Sequence, residues 1–255
     1  SSASISNVRR RSHSLDLMDV DTQKRRKLLD AQNQNIHRVL TIPAPSTSAR
    51  HSVFFKTVQN PPTVLNHRPY NCLGPPVIFY NDVFSKFIAD FRNEKLPILQ
   101  DVLHVVDPLL ESMARSYQGE NKRLEALRSH LSTIIWLLQS IKNDDETVAD
   151  SVITVPIESL HEAAMLVLLE VKNEIGTGVS DPTTQGALSY VQRWAQERLK
   201  SFRLCCNCSS IILAVAGPWI CVMGAIYLEK GVIDPLTTFI PLIPFHHHEY
   251  FMRTA

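Results

Sequence analysis

The sequence predicts an α/β (α+β) fold in which a helical N-terminal part is followed by a mixed central sheet flanked by helices. Three observations support this prediction. Apolar residues recur at helical spacing over residues 77–141. From residue 148 to residue 245, short runs rich in β-branched residues replace that periodicity, as is typical of strands. Between two of these runs, Asp181 and Pro182 mark the start of a further helix.

Residues 1–74 are predicted to form a disordered basic and polar tail. The segment is rich in Ser, Asn, Gln, Arg and Pro, so we expect it to bury too little apolar surface to offset its ordering entropy. A short helix is expected around residues 20–39. Two basic clusters, residues 8–11 and 24–27, are compatible with a nuclear import signal, a phosphate-contacting arm or a solvated tail. The ordered domain is then expected to cover residues 75–255.

The composition favours an intracellular protein and says little about partners. The net charge is +1, so no whole-protein electrostatic argument for a nucleic-acid partner follows. Five cysteines and no N-terminal apolar signal segment fit a reducing compartment. Because the chain begins with Ser and ends in Thr254-Ala255, we expect it to be a fragment of a longer protein, truncated at its C-terminus.

Three amphipathic helices are predicted in the first half of the ordered domain. They cover residues 83–91, 98–117 and 120–141, and each carries a leucine or aromatic stripe of the kind that packs into a core. Pro108 is expected to kink or split the second of them.

Two adjacent strands are predicted next, at residues 151–157 and 164–172, joined by a short connection that includes one helical turn. A loop then leads to the helix capped by Asp181, which is expected to extend to about Phe202.

Residues 211–228 contain no charged side chain and allow two interpretations. Eighteen such residues reach the minimum length of a membrane-spanning helix. However, Gly217-Pro218 stands in the middle, where a turn would divide the segment into two buried strands. We expect the two strands, with a membrane anchor as the alternative.

The residues with the clearest chemical pattern lie at the end of the second predicted strand. Glu170 and Lys172 are two residues apart, so they project from the same face, while Leu169 and Val171 point into a core. Asp150, at the start of the paired strand, can approach Glu170.

These side chains suggest a metal site for phosphodiester hydrolysis. Carboxylate oxygens suit Mg²⁺ or Mn²⁺, so Asp150 and Glu170 are the predicted metal ligands. Lys172 would orient the attacking water or offset charge in the transition state. Gln185 could hold that water or a phosphate, and Glu120 or Glu125 could supply a further ligand.

The order of these elements resembles the PD-(D/E)xK restriction-endonuclease-like superfamily. A second, narrower resemblance is to the nuclease-like module of fungal Crinkler-type and fungal-type protein-kinase-linked proteins. The residues that carry it are Glu170 to Thr177 with Gly178, Asp181-Pro182, Gln185, Ser189-Tyr190 and Ala216-Gly217-Pro218-Trp219.

The resemblance implies a nuclease-like fold over residues 75–255 and a nuclear or effector-like setting. It also implies a kinase-like domain beyond residue 255. The function expected from it is metal-dependent cleavage of DNA or RNA. The alternatives are a non-catalytic interaction or regulatory module that precedes the kinase-like domain, and a membrane-anchored protein.

Overall fold

The computed structural model describes residues 3–97, 100–134, 143, 149–177 and 179–243 of the chain. Within these residues, the N-terminal region forms three helices and one short strand. They are α1 (Ala3–Thr41), α2 (Pro45–Ser48), α3 (His51–Thr57) and β1 (Val64–Leu65). The second basic cluster, residues 24–27, lies on an exposed part of α1.

The N-terminal region differs from the disordered tail expected over residues 1–74. Ile36, Val39 and Val58 are buried in the core, and β1 joins the central sheet. Ile36 and Val39 lie three residues apart in α1, which contains the short helix expected around residues 20–39. The core cluster that contains them also includes residues of α7, β3 and β4, and local composition does not encode such distant packing.

The three predicted amphipathic helices are present, with bounds that differ from the prediction. They are α4 (Asp82–Phe91), α5 (Gln100–Met113) and α6 (Glu120–Ile134), and α5 continues through Pro108. The predicted extension of α6 over residues 135–141 falls outside the described residues. Asn81 caps α4 by accepting a hydrogen bond from the backbone N–H of Val83.

The second half of the chain forms most of the sheet. Its strands are β2 (Ser151–Ile157), β3 (Glu162–Lys172), β4 (Ser210–Ala216), β5 (Trp219–Tyr227), β6 (Gly231–Pro235) and β7 (Ile240–Pro241). A single 3-10 turn connects β2 to β3, as the sequence predicts. Helix α7 (Pro182–Ala195) and the short α8 (Lys200–Cys205) lie between β3 and β4, so the one helix expected to reach Phe202 is divided near Gln196.

The sheet is mixed, which confirms the predicted α/β class. Its order is β1-β6-β5-β4-β3-β2, with β7 also paired to β5. The β1–β6 and β3–β4 pairs are parallel, and the other pairs are antiparallel. The β3–β4 crossover passes through α7, as parallel neighbours require.

Two apolar layers cover the two faces of this sheet. On one face, Leu168 and Ile212 pack with α7 and with the end of α1. On the other, Leu169, Val171 and Leu213 pack with α4, α5 and α6. The alternation along β3 therefore places Glu170 on the α7 face, as the two-residue period predicts.

Residues 211–216 lie in β4 and residues 219–227 in β5, which pair with each other, and the turn between them lies at Gly217 and Pro218. Gly217 adopts a φ of +59°, a left-handed conformation that glycine adopts without a side-chain clash. Across the part of the chain that the structure describes, no helix combines the length and apolar character needed to cross a bilayer.

Candidate active site

Glu170 lies at the centre of the site and is almost completely buried, with 1% of its surface exposed. The side-chain amide of Gln185 donates a hydrogen bond to its Oε2 at 2.8 Å. The hydroxyl of Ser189 donates a second bond to its Oε1 at 2.6 Å. Both donors come from α7, one helical turn apart, so this helix fixes the orientation of the carboxyl group.

Asp150 approaches Glu170 from the neighbouring strand. The antiparallel register pairs Ser151 with Leu169, so the next position of each strand places Asp150 beside Glu170. Asp150 Oδ2 accepts a hydrogen bond from the backbone N–H of Val171 at 2.7 Å. The guanidinium of Arg128, on α6, donates to the backbone carbonyl of Asp150 and anchors this end of β2.

Lys172 lies two residues after Glu170, on the same face of β3, and it is also buried. Its Nζ contacts both carboxylate oxygens of Glu120, at 3.1 and 3.2 Å. Glu120 begins α6, so this ion pair joins the helix to the end of β3. Glu125, the other candidate on α6, instead forms an exposed ion pair with Lys122.

The first turns of α7 contain a capping aspartate and a glycine, and the glycine lets the helix lie close to β3. Asp181 accepts a hydrogen bond from the backbone N–H of Thr184 at 2.9 Å, and Pro182 follows as the first helical residue, as the sequence predicts. At Gly186, an added Cβ would lie 2.8 Å from a side-chain carbon of Ile212 and 3.4 Å from Cγ of Glu170. The absence of a side chain there lets Gln185 and Ser189 reach Glu170.

A buried arginine supports the loop that follows β3. Arg123, on α6, contacts Glu174 Oε1 at 2.6 Å and donates to the carbonyl of Met113 at 3.2 Å. Its guanidinium lies 4.8 Å from the ring centre of Tyr117. These contacts hold residues 173–177 beside Lys172.

The pKa values of two buried carboxyl groups of the site, Asp150 and Glu170, are raised. Burial raises the pKa of Glu170 to about 8, and the nearby negative charge of Asp150 adds to this shift. Burial likewise raises the pKa of Asp150, against the opposing effect of its hydrogen bond from Val171. The site therefore holds two acids whose negative charge is not fully compensated by the protein.

The donor chemistry of Asp150 and Glu170 fits a hard divalent ion. Among the described residues, no three His, Cys, Asp or Glu side chains converge as a ligand set. Mg²⁺ does not require such a set, because it is commonly bound by one or two carboxylates and retains several water molecules. A bound cation would also offset the negative charge of Asp150 and Glu170 when both are ionised. Their raised pKa values indicate that the protein does not fully compensate this charge.

The structure brings Asp150, Glu170, Lys172 and Glu120 together at one end of β3. Gln185 is present too, but its amide is bonded to Glu170, and its carbonyl accepts a hydrogen bond from Ser180.

Sequence reasoning did not identify Ser189, Arg123 or Arg128 as parts of the site. Of these, only Ser189 had a signal in the sequence. It stands four residues after Gln185, so the two side chains share one face of a helix.

The fold and the site define a mixed α/β protein with a buried carboxylate and lysine cluster at the end of a central strand. None of the protein families, curated proteins or solved structures compared with the chain matches it.

Proposed function

We propose that the end of β3 is the active site of a divalent-metal-dependent phosphodiesterase of the nuclease type, with DNA or RNA as its substrate. One observation carries the proposal: Asp150, Glu170 and Lys172 meet at the end of one strand pair, and two donors from α7 hold Glu170. The succession of β2, β3, α7 and β4, with β3 parallel to β4, supports the resemblance to the PD-(D/E)xK superfamily.

Each residue of the site has a separate role in the proposed reaction. Asp150 and Glu170 would hold Mg²⁺ or Mn²⁺. When bound, such an ion polarises a phosphodiester and lowers the pKa of a bound water. The ammonium of Lys172 would exchange Glu120 for the substrate and offset the negative charge that develops in the transition state. Gln185 and Ser189 would keep the carboxylate of Glu170 directed at the reacting group.

A second candidate is a non-catalytic interaction or regulatory module, which in the resembling proteins precedes a kinase-like domain. The observation that favours it is the saturation of the site by internal contacts. Glu170 is enclosed by α7, and Lys172 is buried and paired with Glu120.

A cleavage assay separates the two candidates. The purified 255-residue chain is incubated with fluorescently labelled DNA and RNA in Mg²⁺ or Mn²⁺. We expect cleavage that falls about 100-fold or more in each variant, because Glu170→Gln removes a proposed metal ligand and Lys172→Met removes the cation that offsets the developing charge.

The matched control is Glu162→Gln, which alters a glutamate at the other end of the same strand and should leave the rate unchanged. Absence of cleavage with either metal would contradict the enzymatic proposal and favour the regulatory module. Equal rates in wild type and both variants would assign the activity to a contaminant.

A further inference from the structure

A cleft of about 230 Å³ lies directly beside Lys172. The loop after β3 and the first turn of α7 form one side, and the end of β4 with the residue before β7 forms the other. Its lining includes Lys172, Glu174, Thr177, Asp181, Ala216 and Phe239. A ligand in this cleft would therefore lie next to the proposed catalytic cluster.

The charges of the cleft do not suit the backbone of a duplex. Proteins that bind duplex nucleic acid neutralise several phosphates with Lys and Arg. Of the described residues that line the cleft, Lys172 is the one cation, whereas Glu174 and Asp181 carry carboxylates. Lys172 could therefore hold one phosphate in exchange for Glu120, but the described lining offers no track of cations for several phosphates.

The apolar groups of the cleft suit an unpaired base. Phe239 is 36% exposed and Ile175 is 58% exposed, so both present apolar surface to an incoming ligand. Aromatic side chains stack on unpaired bases with little regard to sequence. The volume is below the roughly 300–1,000 Å³ of clefts that hold drug-sized ligands, which suits a single ring system better than a base pair.

We propose that this cleft holds one unpaired base of a single-stranded DNA or RNA substrate, stacked on Phe239, with the adjoining phosphate at Lys172. The proposal rests on the proposed function and narrows its substrate to single-stranded nucleic acid. Duplex ends and loops would be bound only where they expose an unpaired nucleotide.

Fluorescence anisotropy tests this proposal without requiring cleavage. The full chain is titrated against a single-stranded oligonucleotide and against a blunt-ended, two-strand duplex of the same length, which has no loop. Both carry phosphorothioate linkages to slow hydrolysis, and both are measured at one salt concentration, in Mg²⁺ and again in EDTA. We expect the single strand to bind about ten-fold more tightly, because one stacked base is worth about that factor.

Three variants locate the binding. Phe239→Ala should weaken single-strand binding about ten-fold, and Phe239→Trp should restore it, because Trp retains an aromatic face. Phe79→Ala is the matched control. Phe79 is an exposed aromatic near Asn207, before the start of β4, whereas the cleft lies at the end of that strand.

The outcomes distinguish this proposal from the proposed function. Equal or tighter duplex binding, equal effects of Phe239→Ala and Phe79→Ala, or no binding to either oligonucleotide would overturn it. If Glu170→Gln abolishes cleavage and Phe239→Ala does not change it, the nuclease proposal is retained and the proposal for the cleft is rejected. Single-strand binding that depends on Phe239 without any cleavage would contradict the nuclease proposal and retain the cleft as a binding site.

Discussion

Each end of strand β3 carries a glutamate. One glutamate is paired with a cation, and the other is surrounded by neutral donors and a second acid. Glu162, at the start, is 24% exposed and pairs with Arg198 at 2.8 Å. Glu170, near the end, is buried, and in the described part of the chain its hydrogen-bond donors are the neutral groups of Gln185 and Ser189. Asp150 adds a second acid beside it.

The first arrangement is that of a structural ion pair, whereas the second raises the free energy of the folded state. A buried acid without a cationic partner favours its protonated form and costs stability when ionised. Such clusters occur where a protein binds a cation or performs acid–base chemistry. The contrast between the two ends is therefore the basis for placing the site at Glu170.

Removing the arginine from each end should have very different effects. Arg123→Met, at the Glu170 end, is expected to lower the free energy of unfolding by about 3 kcal/mol, because the guanidinium is fully buried and its loss deprives the buried carbonyl of Met113 of a donor. Arg198→Met, at the Glu162 end, should cost about 1 kcal/mol or less, because that pair is partly exposed.

Urea unfolding of the two variants measures this difference directly. Equal losses in the free energy of unfolding would mean that the buried Arg123 stabilises the protein no more than the partly exposed Arg198 does. That result would contradict the contrast between the two ends.

The pH dependence of stability should also separate the two ends. The pKa of Glu170 is about 8 in the folded chain against an ordinary value of 4.5, so the folded state binds this proton more tightly than the unfolded state does. Stability should therefore fall as pH rises from about 5 to about 8, and the raised pKa of Asp150 acts in the same direction. We expect a loss on the order of 2 kcal/mol, because relaxation of the site reduces the full linkage.

Glu170→Gln cannot ionise and should flatten this dependence, whereas Glu162→Gln should retain it. Thermal unfolding across that pH range gives the measurement. A stability that rises with pH in the wild type would show that the two acids are stabilised as carboxylates and would contradict the account of the site.

The features that could be predicted from sequence are those with local signals. The apolar runs of β3, β4 and β5, the turn at Gly217-Pro218 and the cap at Asp181 depend on neighbouring residues, and all are present. The shared face of Glu170 and Lys172 follows from the period of a strand. The position of Asp150 follows from the antiparallel pairing of β2 with β3.

The features that could not be predicted depend on distant contacts. Val58 stands among polar residues and Val39 lies near the end of α1, and both are buried in a core cluster to which the second half of the chain contributes most of the residues. Arg123 looks like any surface residue of an amphipathic helix, and its burial results from contacts with Met113, Arg115 and Glu174. Composition indicates that such a segment is polar, but it does not show which few side chains will be enclosed.

Mn²⁺ binding tests the central claim most directly, because it asks whether the uncompensated charge at the end of β3 holds a cation. In isothermal titration of Mn²⁺ into the full chain at about pH 8, we expect one saturable site in the wild type and in Glu162→Gln. Asp150→Asn and Glu170→Gln should each lose it, since both predicted ligands are needed. Equal Mn²⁺ binding by all four proteins, or none by the wild type, would contradict the claim.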